Sequence, residues 1–273
     1  MEATKARVAP VSSAMLYGRG VFTTIAVYDS RPFLWPRHWE RLATHAARLD
    51  IDLTGCTEDG VAEALMKLIT VNRVEKGLAR VIFLSRTGRE PWRAKSSGGK
   101  KTDLLIMTGD EHKVPDSGLS LAVSPYRITT SSPLTGIKSL NYLDRILSRE
   151  EARNRDFDEA VVLNERGEVV SATTANIFWS KNGTLHTPNL NSGIVAGVTR
   201  DCVIEIAAKH FIPLLEGVYE MSDLTEADEI FLTSSVLGVA AVTTFDFRRY
   251  AVEVGSVTAI VREAFRKLTK EIQ

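Results

Sequence analysis

The stretch "GIKSLNYLDRIL", residues 136–147, decides how the chain is read. It sets Lys138 between Ile137 and Leu140, at the mouth of an amphipathic helix expected from about Leu140 to Asn154. Leu140, Leu143, Ile146 and Leu147 recur at helical spacing and are expected to share one face of an amphipathic helix. β-rich runs stand on both sides: "LSLAVSPYRI" (119–128) before it, "EAVVLNERGEVVSATTANIFWSKNGTLHTP" (159–188) after it. Turn signals at 164–167 and at Asn182-Gly183 divide the second run into hairpins. A single helix set among strands, without regular alternation, predicts an α+β domain rather than a doubly wound parallel sheet.

Upstream the pattern repeats. "VFTTIAVYDSRPFLW" (21–35) reads as two β runs around a turn at Asp29-Ser30. Pro36 opens a helix at a position where its missing N–H is harmless, and Trp39, Leu42, Ala46 and Leu49 form the inner stripe. A second helix follows, with Thr57 as N-cap and Val61, Leu65, Leu68 and Ile69 inward. Strands are expected at "LARVIFLS" (78–85) and "DLLIMT" (103–108), joined by the basic, Gly-rich loop "RTGREPWRAKSSGGKK" (86–101). The polar stretch "GDEHKVPDSG" (109–118) is the natural divide. These signals predict a smaller N-terminal domain (1–110), a linker (111–118) and a larger C-terminal domain (119–273) that carries Lys138. In that second half a helix is expected to begin at Thr199, then the strand "DEIFLTSS" and a last helix, "VTAIVREAFRKLTKEI".

Composition narrows the function classes. The 273 residues are 44% hydrophobic and 25% charged, enough for a sizeable core. Thirty-four basic and 34 acidic residues cancel, which argues against a nucleic-acid partner, since neutralising phosphates takes a basic surplus. Cys56 and Cys202 form no CxxC pair, and small buried side chains are the simpler reading. His38 and His45 lie seven apart, too far for a helical i, i+4 metal pair, and the other histidines are scattered, so no metal site is expected. No apolar run approaches the roughly 20 residues that span a bilayer, and "MEATKARVAPVSSAM" has no signal-peptide core. No membrane association and a reducing cytoplasm are the expectation.

Three separated stretches offer donors to an anion. "GVTRD" (197–201) puts a glycine and a hydroxyl at a helix start, "TSS" (233–235) puts hydroxyls at a strand end, and Arg41 stands in the first long helix. Taken singly, each reads first as an ordinary N-cap, strand-end turn or surface arginine, since helix caps outnumber ligand sites. Lys138 is equally a lysine with its stem on apolar surface and its head in water, or a desolvated nucleophile. Taken together, an imine-forming lysine and several phosphate donors suggest pyridoxal phosphate.

The order of motifs resembles the class IV pyridoxal-phosphate enzymes: the branched-chain and D-amino-acid aminotransferases and the 4-amino-4-deoxychorismate lyases. The matching segments are "YGRGVF", "HWERL", "IKSLNYL", "TANIFW", "GIVAGVTRD" and "EIFLTSS". The resemblance implies a fold-type IV architecture and a homodimer acting on an amino-acid-like substrate. It implies Lys138 as Schiff-base lysine and proton shuttle. Arg41, the Val198 and Thr199 N–H groups and the Ser234 and Ser235 hydroxyls would hold the cofactor phosphate, with Tyr142 nearby. Asn176 matches the family's "sNxF" asparagine, in a structural role.

Departures from the family pattern point the same way. Relatives place a glutamate, paired with the pyridine nitrogen, five residues before that asparagine; here the position holds Ser171. Glu168, three residues earlier, would face the other side of a strand. Arg19 stands between the glycines of "GRG" where many relatives have an acid, and Thr23 replaces a glutamate common in the aminotransferases. Arg86, Arg89 and Arg93 are candidates for gripping substrate carboxylates. A serine at 171 handicaps transamination more than elimination. The expected activity is therefore a lyase resembling aminodeoxychorismate lyase, which gives pyruvate and 4-aminobenzoate for folate synthesis. A branched-chain or D-amino-acid aminotransferase stands second, and a non-catalytic descendant third.

Overall fold

A computed structural model describes residues 10–86, 101–115, 117–251 and 253–271. The chain divides into two compact units: residues 1–109 with 137–141, and 110–136 with 142–273.

In the first unit a four-stranded sheet, ordered β2-β1-β3-β4, joins β1 (Gly20–Tyr28), β2 (Arg31–Pro32), β3 (Gly77–Ser85) and β4 (Thr102–Asp110). Asp29 and Ser30 both take positive φ (46° and 61°), the conformation of the tight β1–β2 hairpin turn. Val21, Ile25 and Val27 alternate toward one face of β1 and join Val81 and Phe83 of β3. Two helices cover that face. From α2 (Trp35–Arg48) come Leu42 and Ala46; from α3 (Glu58–Val71) come Val61, Leu65 and Ile69. Thr57 caps α3 as expected, accepting from Gly60 N. A short helix missed in the sequence, α1 (Ser13–Tyr17), precedes β1 and ends at Gly18 with φ 67°.

The second unit is built on a nine-stranded mixed sheet, ordered β10-β9-β8-β11-β12-β5-β6-β7 with β13 on β12. Its strands are β5 (Leu119–Ile128), β6 (Glu159–Asn164), β7 (Val169–Ala172), β8 (Asn176–Lys181), β9 (Thr184–Pro188), β10 (Leu214–Gly217), β11 (Glu229–Ser234), β12 (Gly238–Phe245) and β13 (Arg248–Arg249). Ile177, Trp179, Ile230, Leu232, Ala240 and Val242 fill the core. Burial of the valine, leucine and isoleucine side chains among them contributes about 1.5–3 kcal/mol each. Helices α4 (Leu143–Asn154), α5 (Val198–Lys209), α6 (Met221–Thr225) and α7 (Val257–Glu271) complete it.

Two expectations need correcting. The helix after the lysine begins at Leu143, not Leu140, and its apolar stripe is outward: Leu143, Ile146 and Leu147 are exposed. Its buried residues are Ser148 and Ala152. Ala152 of α4 packs with Ala122 of β5 and Ala160 of β6, a contact made of small side chains. The second correction concerns Lys138, expected in the larger unit. Residues 137–141 group instead with the smaller one, because they pair along β1.

Candidate active site

The lysine segment is held by main-chain bonds. Phe22 N donates to Lys138 O (3.0 Å), Leu140 N donates to Gly20 O (2.9 Å), and Ser139 bridges Val21 in antiparallel register. Ile137 enters the core of the unit, and Asn141 Nδ2 donates to Gly18 O (3.0 Å). The glycines of "YGRG" make room for this approach. A Cβ on Gly18 would lie 2.6 Å from Asn141 Oδ1, and one on Gly20 would lie 2.5 Å from Leu140 Cδ1 and 2.8 Å from Phe83 O. The motif is therefore a seat for 137–141. Arg19, the unexpected residue between the glycines, donates from Nε to Leu49 O (3.0 Å) and pairs with Asp50 (3.1 Å) at the C-terminal end of α2.

Lys138 itself is half-buried, with Nζ 4.6 Å from the centroid of the Phe22 ring, a cation–π contact. Its main-chain N–H donates to His45 Nδ1 at 3.1 Å. That nitrogen is the acceptor, so the imidazole is neutral and carries its hydrogen on Nε2. Arg41 Nη2 donates to Thr23 Oγ1 (2.9 Å), which lies 2.7 Å from His38 Nδ1. Seven residues apart on α2, His38 and His45 face the same side, at 1% and 6% exposure. Sequence reading discounted them because it tested only for a metal pair; their i, i+7 spacing beside Arg41 was the available signal.

Burial first, and Arg41 second, hold both imidazoles neutral: His38 well below its usual 6.5 and His45 at about 4, with Arg48 and Lys138 adding to the effect on His45 and Lys138 to that on His38. A folded-state pKa below the unfolded one means that the unfolded chain binds more protons between pH 6.5 and about 4. Stability is thus fully present above 6.5 and declines as pH falls through that window. His45→Asn, which keeps an acceptor without a titrating group, is expected to flatten the slope of Tm against pH there. An unchanged slope would count against a buried neutral His45.

In the second unit, α5 begins without a side-chain cap. Its N-cap Gly197 lies against the side chain of Asn176, so closely that a Cβ would sit 2.1 Å from Asn176 Oδ1. Asn176 Nδ2 donates to Val195 O (3.0 Å), which makes it a brace for the loop that enters the helix. Asn176 pairs in register with Thr233 on β11, and Thr233 Oγ1 is buried without a hydrogen-bond partner among the described residues. Ser234 Oγ caps the following turn, accepting from Leu237 N (3.1 Å), and Ser235 lies in that turn. The unit thus gathers uncapped helix N–H groups at Val198 and Thr199 and an unused hydroxyl, a donor set suited to phosphate.

A tight turn, with Ala172 N donating to Ala175 O (2.9 Å), separates Asn176 from Ser171. The buried carboxylate of Glu159, which sequence reading missed, holds this turn through Thr173 Oγ1, Thr174 N (3.2 Å) and Thr174 Oγ1 (2.6 Å). Tyr142 Oη reaches Thr173 O at 3.4 Å. Ser171 is buried and accepts from Arg145 Nη1 (2.9 Å). Glu168 is committed elsewhere, to Arg166 (2.6 Å) and Asn164 Nδ2 (2.6 Å). Arg86 is exposed and paired with Asp103 (3.5 Å), while Arg89 and Arg93 lie outside the described residues. Among the described residues no cluster of His, Cys, Asp and Glu could hold a metal, and no helix is long and apolar enough to cross a membrane.

Comparison with known proteins identifies the family. The family described as "Amino-transferase class IV" matches residues 20–245. The chain belongs to that family. It is 31% identical over 268 residues to a putative branched-chain-amino-acid aminotransferase of Methanocaldococcus jannaschii, covering 96% of this chain and 91% of the relative. It is 30% identical over 276 residues to the aminodeoxychorismate lyase of Bacillus subtilis, covering 100% and 93%. Among solved structures, the branched-chain aminotransferase of Thermoproteus uzoniensis with norvaline superimposes with a TM-score of 0.87 at 28% identity, covering 99% of this chain and 92% of that one. The chain is thus an enzyme of the pyridoxal-phosphate-dependent class IV group, with the α+β, fold-type IV architecture expected from the sequence. Its relatives split between amino transfer and lyase chemistry.

Proposed function

We propose that this enzyme is a pyridoxal-phosphate-dependent lyase resembling 4-amino-4-deoxychorismate lyase, releasing pyruvate and leaving 4-aminobenzoate. The residues fit the cofactor: an amine on a segment anchored by its main chain, and an uncapped helix start with an unused buried hydroxyl beside it. When bound, the cofactor supplies an aldehyde that captures amines and a ring that withdraws electrons from the substrate Cα. Lys138 holds the aldehyde and moves the Cα proton. Arg41, the Val198 and Thr199 N–H groups and the Ser234 and Ser235 hydroxyls bind the phosphate. Thr23 and His38 aim Arg41, and His45 steadies the Lys138 main chain. Tyr142 lines the cofactor site, and Arg86, Arg89 and Arg93 receive substrate carboxylates.

The observation that carries the lyase reading is the side chain at the ring-nitrogen position. Ser171 brings a hydroxyl, and the nearest acid in sequence, Glu168, is spent on Arg166 and Asn164. Without a carboxylate partner the ring nitrogen is not held protonated, and the ring is a weaker electron sink. Amino transfer depends on that sink more than elimination does. The test is a product assay on 4-amino-4-deoxychorismate with purified protein. Pyruvate formed without any 2-oxo acid supports the lyase; amino exchange that requires a 2-oxo acid supports the aminotransferase, a reading favoured by the M. jannaschii relative.

The exposed apolar stripe Leu143, Ile146 and Leu147 on α4 supports a homodimer. Light scattering is expected to return twice the chain mass of 30.1 kDa, and a mass of one chain would count against it.

A further inference from the structure

Arg145 occupies the third position of α4, and its guanidinium turns toward β7 rather than solvent. Nη1 donates to Ser171 Oγ (2.9 Å) and to Ala172 O (3.4 Å). A guanidinium has donors only, so Ser171 Oγ is the acceptor in this bond and its own hydrogen remains to be donated. Among the described residues Ser171 Oγ donates no hydrogen bond.

The charges around Arg145 do not cancel it by contact. Tyr142, Asp144 and Glu159 are the titratable groups whose fields reach it. Glu159, the buried one, spends its oxygens on Thr173, Thr174 and Ala160 N, and forms no ion pair with Arg145. The position at which relatives place a carboxylate thus holds a serine backed by a cation, a reversal of local charge and not only its removal.

We propose that Arg145, acting through Ser171, is a positioning residue that turns the serine hydroxyl into a polarised donor and keeps the ring nitrogen of bound pyridoxal phosphate unprotonated. The inference rests on the functional reading above, which sets that nitrogen at position 171. Support within the unit comes from the turn at 172–175, closed by Ala172 N donating to Ala175 O, which links the strand carrying Ser171 to Asn176, the brace of the donor set at the start of α5. A proton on the nitrogen would remove the lone pair that accepts from Ser171 and would set one cation near another. The arrangement therefore selects the neutral ring. It specialises the enzyme for reactions that need only modest electron withdrawal.

The test is nitrogen-15 NMR of the protein reconstituted with pyridoxal phosphate labelled at the ring nitrogen, for wild type and Arg145→Met, from pH 6 to 9. The chemical shift reports protonation at that atom whether or not the enzyme turns over. Wild type is expected to show an unprotonated nitrogen throughout. In R145M the nitrogen is expected to gain proton affinity by tenfold or more, about one pH unit, enough to bring its protonation into view at the acid end of that range. A protonated nitrogen in the wild type overturns the inference by itself, even if R145M does not fold. An R145M spectrum identical to wild type also overturns it, since Arg145 would then not set the state. Failure of the wild type to take up the cofactor at all would sink the functional reading and this inference together, whereas uptake with a protonated nitrogen sinks the inference alone.

Discussion

Lys138→Ala is expected to abolish the visible absorbance that the protein gains with pyridoxal phosphate, and to lower turnover by about a thousandfold or more. Removing a covalent catalyst that also moves the proton discards two rate contributions, and each tenfold loss corresponds to about 1.4 kcal/mol of barrier. The fold is expected to survive. The bonds that seat residues 137–141 run through the main chain: Phe22 N to Lys138 O, Lys138 N to His45 and Leu140 N to Gly20 O. Alanine keeps all three and removes a half-buried side chain, its contact to Phe22 included. A melting temperature within a few degrees of wild type, together with loss of the absorbance, is the expected pair of results. Absorbance retained in K138A would remove Lys138 from the role proposed for it.

The second large effect is expected at position 171. Ser171→Glu combined with Arg145→Leu should raise 2-oxo-acid-dependent amino transfer by about tenfold or more, because a carboxylate then faces the ring nitrogen with no cation beside it. Ser171→Glu alone should gain less. Arg145 already reaches this position at 2.9 Å and would capture the new carboxylate as an ion pair. Initial rates with an amino donor and a 2-oxo acid, measured on the wild type, the single and the double variant, decide the matter. Equal rates in the double variant and the wild type would show that the side chain at 171 does not limit amino transfer.

Much of the local structure around the proposed site was legible in the chain. The hairpin at Asp29-Ser30, the Thr57 cap and the α3 stripe follow from local chemistry, and each is where it was expected. The anion-donor segments declared themselves by residue type and position at element ends. Other features were hidden. The outward face of α4 was misread because a helical stripe of large apolar residues has the same period whether it faces a core or solvent. Ser148 and Ala152, the residues that meet the sheet, look unremarkable in sequence. Arg145 gave no signal at all, since a charged residue on a helix is ordinarily solvated; its link to Ser171 spans 26 residues.

The sequence by itself determined most element types and the family, and it nominated the amine and anion donors proposed above, because these depend on residue chemistry and short-range spacing. Tertiary structure decided what surrounds them. Lys138 sits on β1, 117 positions from Val21 in the chain, because Gly18 and Gly20 leave space for residues 137–141 and His45 accepts their amide. Ser171 became a donor backed by a cation when α4 laid Arg145 against β7. Such pairings come from packing between elements distant in sequence, and no local pattern encodes them.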